Sequence, residues 1–134
     1  QAGLQINSIF GGKYSADSTV TETMMSGNQR FLKKHYLSTF ATFKGPAAKY
    51  ASVIQPLVLA DGAHATGRNI RYSDGKLRYA FFILPSVERN GQTINRYLYY
   101  INNEGARKPS VIVIYFEGRI RPEKASELIN SMSK

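Results

Sequence analysis

The 134-residue chain is long enough for one domain with a hydrophobic core, and a 43% hydrophobic content with nine Tyr and seven Phe excludes a disordered chain. The absence of cysteine excludes disulfides, thiolate catalysis, Cys-ligated zinc and iron–sulfur clusters. A net charge of +9, from 18 basic and 9 acidic residues, either suits an anionic partner or serves solubility, and the basic residues are dispersed rather than blocked.

The chain starts at Gln1 without a methionine, which leads us to expect a removed export signal and a periplasmic or secreted protein, a trimmed chain being the alternative. In residues 4–14, Ile6, Ile9 and Phe10 have the spacing of a short amphipathic helix, stopped by Gly11-Gly12. Residues 15–18 read as a loop and the Thr-rich 19–26 as a strand. Residues 36–43 alternate as a strand would, with helix as the rival. Gly45-Pro46 then opens a helix whose apolar stripe is Ala47, Tyr50, Ala51, Ile54, Leu57 and Val58. Pro56 inside it should kink the helix, which ends near Asp61-Gly62.

Four strands are predicted next, at 68–72, 76–84, 93–102 and 110–120. Ser73-Asp74-Gly75 is a hairpin turn, and Asn90-Gly91 a second turn within a longer loop. Residues 111–116 are apolar on both parities, so the last strand should be central and covered on both sides. Pro122 and Glu123 begin a final helix that buries Ala125, Leu128, Ile129 and Met132. No apolar run approaches the roughly 18 residues of a membrane helix. Short turns between late strands require antiparallel pairing. We therefore expect one domain over 1–134 of α+β class, an antiparallel sheet with helices packed mainly on one face, and Ile54, Leu57, Leu128 and Ile129 in one shared core.

Chemistry is sparse. Nucleophile-elbow, Walker, dinucleotide-binding, zinc-protease and EF-hand motifs are all absent from the sequence. Gly11-Gly12 lacks the flanking strand and helix of a phosphate loop and reads as a helix stop. Asp61 and His64 have the spacing of two metal ligands on a helix face, or of a solvated helix end; His35 follows Lys33-Lys34, which would repel a cation. Glu123 and Glu127 fit an exposed face. Glu117, beside Gly118 and Arg119 at the end of an apolar strand, needs a partner if buried. We therefore expect no catalytic residue, no metal ligand and no cofactor. The candidate binding residues are Arg78, Arg96, Tyr97, Tyr99, Glu117 and Arg119. Arg and Tyr on an open sheet face stack bases or sugars, although no RNA-recognition motif is present; the plainer reading is Tyr as strand former and Arg as surface cover.

The segments Asn95-Arg96-Tyr97-Leu98-Tyr99-Tyr100, Ile114-Tyr115-Phe116-Glu117-Gly118, Leu37-Ser38-Thr39-Phe40 and Ala60-Asp61-Gly62 give the chain a likeness to a family. It resembles the small exported α+β domains of gut-type Gram-negative bacteria. That resemblance implies export and an α+β fold, with no assigned activity and no functional residues to transfer. The expected role is an exported, non-enzymatic interaction or accessory module for an unknown protein or cell-envelope partner, its oligomeric state open. Nucleic-acid or polyanion binding through a Tyr/Arg sheet face is the alternative. A small hydrolase would need Glu117, His64 or Asp61 to converge in a pocket.

Overall fold

The computed structural model describes residues 3–132. A 3-10 turn over Gln5–Ile9 leads to strand β1 (Thr21–Ser26), a five-residue helix α1 (Arg30–Lys34) and strand β2 (Leu37–Pro46). Helix α2 (Ala47–Gly62) follows, then β3 (Gly67–Ser73), β4 (Lys76–Arg89), β5 (Gln92–Asn103), β6 (Ser110–Gly118) and helix α3 (Pro122–Met132). The six strands form one sheet in the order β1-β2-β6-β5-β4-β3, and every neighbouring pair is antiparallel. The α+β class and antiparallel sheet expected from the sequence are present. No described helix is long and apolar enough to cross a membrane.

Local sequence explains most of the strand ends. Asp74-Gly75 and Asn90-Gly91 both have positive φ at their two positions, the type I′ geometry that matches strand twist. The second hairpin is tighter than the sequence reading: Arg89 pairs with Gln92, so the strands run up to the two-residue turn. β4 continues through Pro85 because its pairing with β5 is irregular between Leu84 and Val87, where a bulge tolerates a residue that donates no ladder bond. α2 is continuous across Pro56. Asp17, in the loop before β1, accepts hydrogen bonds from Lys49 Nζ at 2.7 Å and Tyr50 Oη at 2.5 Å and so ties that loop to α2. The Lys49 bond above all, with those of Thr19 and Tyr50, holds its carboxyl far below the usual range. Gly11 and Gly12, both at positive φ, direct their amides to Glu22 Oε2 at 2.9 and 3.4 Å.

The sheet is covered on both faces, which corrects the expectation that the helices sit mainly on one. Tyr50, Ile54 and Val58 of α2 pack with Ile6 and Ile9 on Ala80, Leu98, Val113 and their neighbours. Leu32 of α1 and Ala125, Leu128 and Ile129 of α3 pack on Phe40, Tyr97, Ile114 and Phe116. Ile54 and Leu128 therefore belong to separate cores. The physical reason is alternation: Val113 and Tyr115 point one way, Ile114 and Phe116 the other, and each apolar surface needs a helix. β6 is third in the order, between β2 and β5, as its two-sided apolar sequence predicts.

Candidate functional site

The end of the sheet nearest the 3-10 turn carries the buried charges. Glu117, 2% exposed, lies opposite Arg96 across the β5–β6 ladder. Its Oε2 accepts from Arg89 Nη1 at 2.5 Å and its Oε1 from Tyr115 Oη at 2.6 Å. Burial alone would raise the Glu117 carboxyl; the bonds from Arg89 and Tyr115 outweigh it and hold the group below the ordinary glutamate value. Burial, reinforced by the adjacent carboxylate, pushes the Tyr115 phenol strongly up. Arg96 is also buried and donates from Nε to the Pro85 carbonyl at 2.9 Å.

Arg96 reaches a neighbouring groove of about 500 Å3, shared with Asp61, His64, Leu84 and Pro85. Asp61 does not act as a ligand there: its two oxygens accept the Gln5 and Ile6 amides at 2.7 and 2.8 Å and so cap the 3-10 turn. His64 is exposed. Asp61, His64 and Arg96 thus share one groove, and Glu117 is not part of its lining. Glu123 and Glu127 lie on the exposed side of α3, beside Arg121 and Lys124 at 3.5 Å each.

The remaining candidates are dispersed. Tyr97 is wholly buried beneath α3, between Phe81 and Phe116 with ring centroids at 6.1 and 5.1 Å, and donates its hydroxyl to the Ile120 carbonyl at 2.7 Å. Burial pushes its phenol up to about 12. Tyr99 is buried edge-on to Tyr79, and burial raises its phenol too. These two tyrosines therefore belong to a core and present no open face for stacking. Arg78 lies near the other end of β4 and pairs with Glu104 at 2.9 Å. Arg119, just past β6, is exposed.

Beside Arg119 stands a residue the sequence reading passed over. Tyr36 links α1 to β2 with φ of +58°, a conformation strained for a bulky side chain, and the residue is 69% exposed. Its carbonyl accepts the amides of Arg119 at 2.9 Å and Ile120 at 3.1 Å. A β-carbon on Gly118 would lie 2.4 Å from that carbonyl oxygen, so only glycine permits the approach. Tyr36 forms the divide between two grooves. One, of about 260 Å3, includes Lys33, Ser38, Gln92 and Arg119; the other, of about 570 Å3, includes Lys34, His35, Lys124 and Glu127. Burial and the Lys34 charge depress the His35 imidazole, favouring its neutral form. The only sequence signal was a Tyr after Lys33-Lys34-His35, because the sign of φ leaves no trace in composition.

These features define a small α+β domain with a doubly covered antiparallel sheet, engaged buried acids and an exposed Tyr36 ridge. The chain belongs to a family of unknown function, DUF6108, whose profile matches residues 1–129. A family without assigned activity agrees with what the motif resemblance implied. No curated protein and no solved structure matches the chain.

Proposed function

We propose that the domain is an exported, non-enzymatic interaction or accessory module of a gut-type Gram-negative bacterium, engaging a protein or cell-envelope component. The observation that carries this reading is Tyr36. A bulky residue at positive φ costs backbone energy, and an exposed ring returns little of it through packing, a combination typical of sites retained for function. The engagement of Asp61 and Glu117 by protein donors supports a non-catalytic role.

The polyanion alternative also draws on this ridge rather than on Tyr97 and Tyr99. Lys33, Lys34 and Arg119 form no ion pair among the described residues, and they share the two grooves with an aromatic ring on which a base or sugar stacks. A salt titration of oligonucleotide and heparin binding, with Tyr36→Ala and Arg119→Ala alongside, separates the two. Sequence-dependent, sub-micromolar binding at about 150 mM salt, lost in either variant, would replace the first reading by the second. Turnover of generic ester, phosphate-ester or glycoside substrates that vanishes in Glu117→Gln would overturn both. Export rests on the motif resemblance; recovery of the protein only in the cytoplasmic fraction of expressing cells would remove it.

A further inference from the structure

The groove of about 500 Å3 beside the 3-10 turn holds a charge that the fold leaves unanswered. Arg96 is 9% exposed, and its side chain makes one hydrogen bond among the described residues, from Nε to the Pro85 carbonyl at 2.9 Å. That carbonyl is available to a side chain because the β4–β5 ladder is irregular between Leu84 and Val87. The bond anchors the guanidinium at the groove wall and leaves both Nη groups without a partner among the described residues.

Glu117 stands opposite Arg96 but is held by Arg89 and Tyr115, and no ion pair joins it to Arg96 among the described residues. Neither Nη belongs to the polar atoms that are shut away from solvent without a partner, so both open on the groove that Arg96 lines. A guanidinium nine-tenths out of water and lacking a counter-ion is costly, and the same low-dielectric setting strengthens its attraction for an anion that enters. The rest of the groove limits which anion that is. Its walls at Leu4, Ala60, Leu84 and Pro85 are apolar. Asp61 lines it too; its oxygens accept the Gln5 and Ile6 amides, and it forms no ion pair with Arg96 among the described residues. Its negative charge opposes a multiply charged anion more than a singly charged one.

A planar guanidinium presents parallel N–H donors that match the two oxygens of a carboxylate. With Nε engaged on Pro85, Nη1 and Nη2 supply that pair. We propose that this groove binds a singly charged carboxylate carrying a short apolar group, the carboxylate on the Arg96 Nη pair and the apolar group against Leu4, Ala60 and Leu84. Such a carboxylate belongs either to a free small acid or to the end of a peptide chain. The inference goes beyond the Tyr36 reading and is independent of it, since the Tyr36 ridge borders a different pair of grooves.

The test is an NMR titration of the isotope-labelled full chain with butyrate, N-acetyl-leucine, butyramide and inorganic phosphate. At least one of the two acids should shift the Arg96 Nε–H and the Ala60 backbone amide saturably, and butyramide, of similar shape but uncharged, should not. Arg96→Lys keeps the charge but loses the fork and should weaken binding about ten-fold. Ala60→Glu exchanges an exposed helical residue for another good helix former and leaves Arg96 in place. It should abolish binding by putting a carboxylate in the groove, and it guards against a folding defect in the first variant. A preference for N-acetyl-leucine assigns the site to a chain end and a preference for butyrate to a free acid; either supports the carboxylate site. Phosphate binding tighter than both acids, butyramide as effective as butyrate, acid-induced shifts unchanged in Ala60→Glu, or no saturable shift with either acid would each overturn the proposal. Any of these leaves the Tyr36 ridge intact, because partner binding there is read by other residues.

Discussion

Tyr36 and Gly118 hold each other in place, and each can be tested singly. The left-handed conformation costs a residue with a β-carbon about 1–2 kcal/mol, while glycine loses about 0.5–1 kcal/mol more backbone entropy on folding. Tyr36→Gly should therefore stabilise the fold by up to about 1 kcal/mol in urea melts while weakening partner binding. A loss of stability above about 1 kcal/mol, the size of an ordinary destabilising substitution, would mean that the ring has a structural task. Gly118→Ala should have the opposite effect. Its methyl would meet the Tyr36 carbonyl and the Leu37 Cα at 2.4 and 2.6 Å, both backbone atoms that cannot swing aside. The expected loss is about 1–3 kcal/mol or more, as for overpacking. Glu117 contributes, with Asp17 and Glu104, to the acid side of the stability profile. Its carboxyl is lowered in the fold, so its contribution is present above the ordinary value of 4.5 and is lost as pH falls through the lower folded value. Glu117→Gln should make that limb shallower while Asp17 and Glu104 keep the rest of it; an unchanged acid profile would show that the Arg89 and Tyr115 bonds contribute nothing to it.

Elements are arranged by alternation. Because α2 and α3 cover opposite faces, substitutions under them should act independently. Leu128→Ala should cost about 2–5 kcal/mol and Ile54→Val about 0.5–1.5 kcal/mol, the usual ranges for buried aliphatic truncation. Their double variant should match the sum within about 0.5 kcal/mol, as distant sites do. A larger discrepancy in denaturant melts would indicate one shared core, the arrangement expected from sequence. That expectation failed because a helical stripe states that a helix has a buried side and leaves open which face of the sheet receives it. The five-residue α1 was missed for a related reason: it is too short to show a period, and only the complete burial of Leu32 reveals its docking.

Over the whole molecule, the charge of +9 is broken up by pairing. Lys49 meets Asp17, Lys76 and Arg78 meet Glu104, and Arg89 meets Glu117. Around Tyr36, Lys33, Lys34 and Arg119 remain outside such pairs among the described residues. If all three contacted phosphates, the logarithmic salt slope would be about −2.7, so a fourfold rise in salt would weaken binding about 40-fold. Arg119→Ala should then reduce the slope by about 0.9. Under the interaction-module reading, oligonucleotide binding near 150 mM salt should be negligible, since the Debye length there is about 8 Å and scattered charges are screened. A steep slope insensitive to Arg119→Ala would place polyanion contacts elsewhere on the surface.

The sequence by itself determined the class, the two late hairpins and the interior position of β6. Period-two alternation, Asp-Gly and Asn-Gly turns and two-sided apolarity are local properties that survive without tertiary context. The tertiary structure alone decided what the candidate residues do. Tyr97 and Tyr99 looked available because tyrosine tolerates water, yet β5 is apolar on both parities, and α3 covers the side that holds them. Glu117 needed a partner, as a buried acid must; Tyr115, two residues back on the same strand face, is one, and Arg89, from the far end of β4, is another that only the tertiary structure brings near. The exposure of Tyr36 and the burial of Asn102 beside Tyr100 arise from a backbone sign and from the spacing of a helix against a sheet. Both are set by chain segments far apart in sequence, beyond the reach of any local pattern.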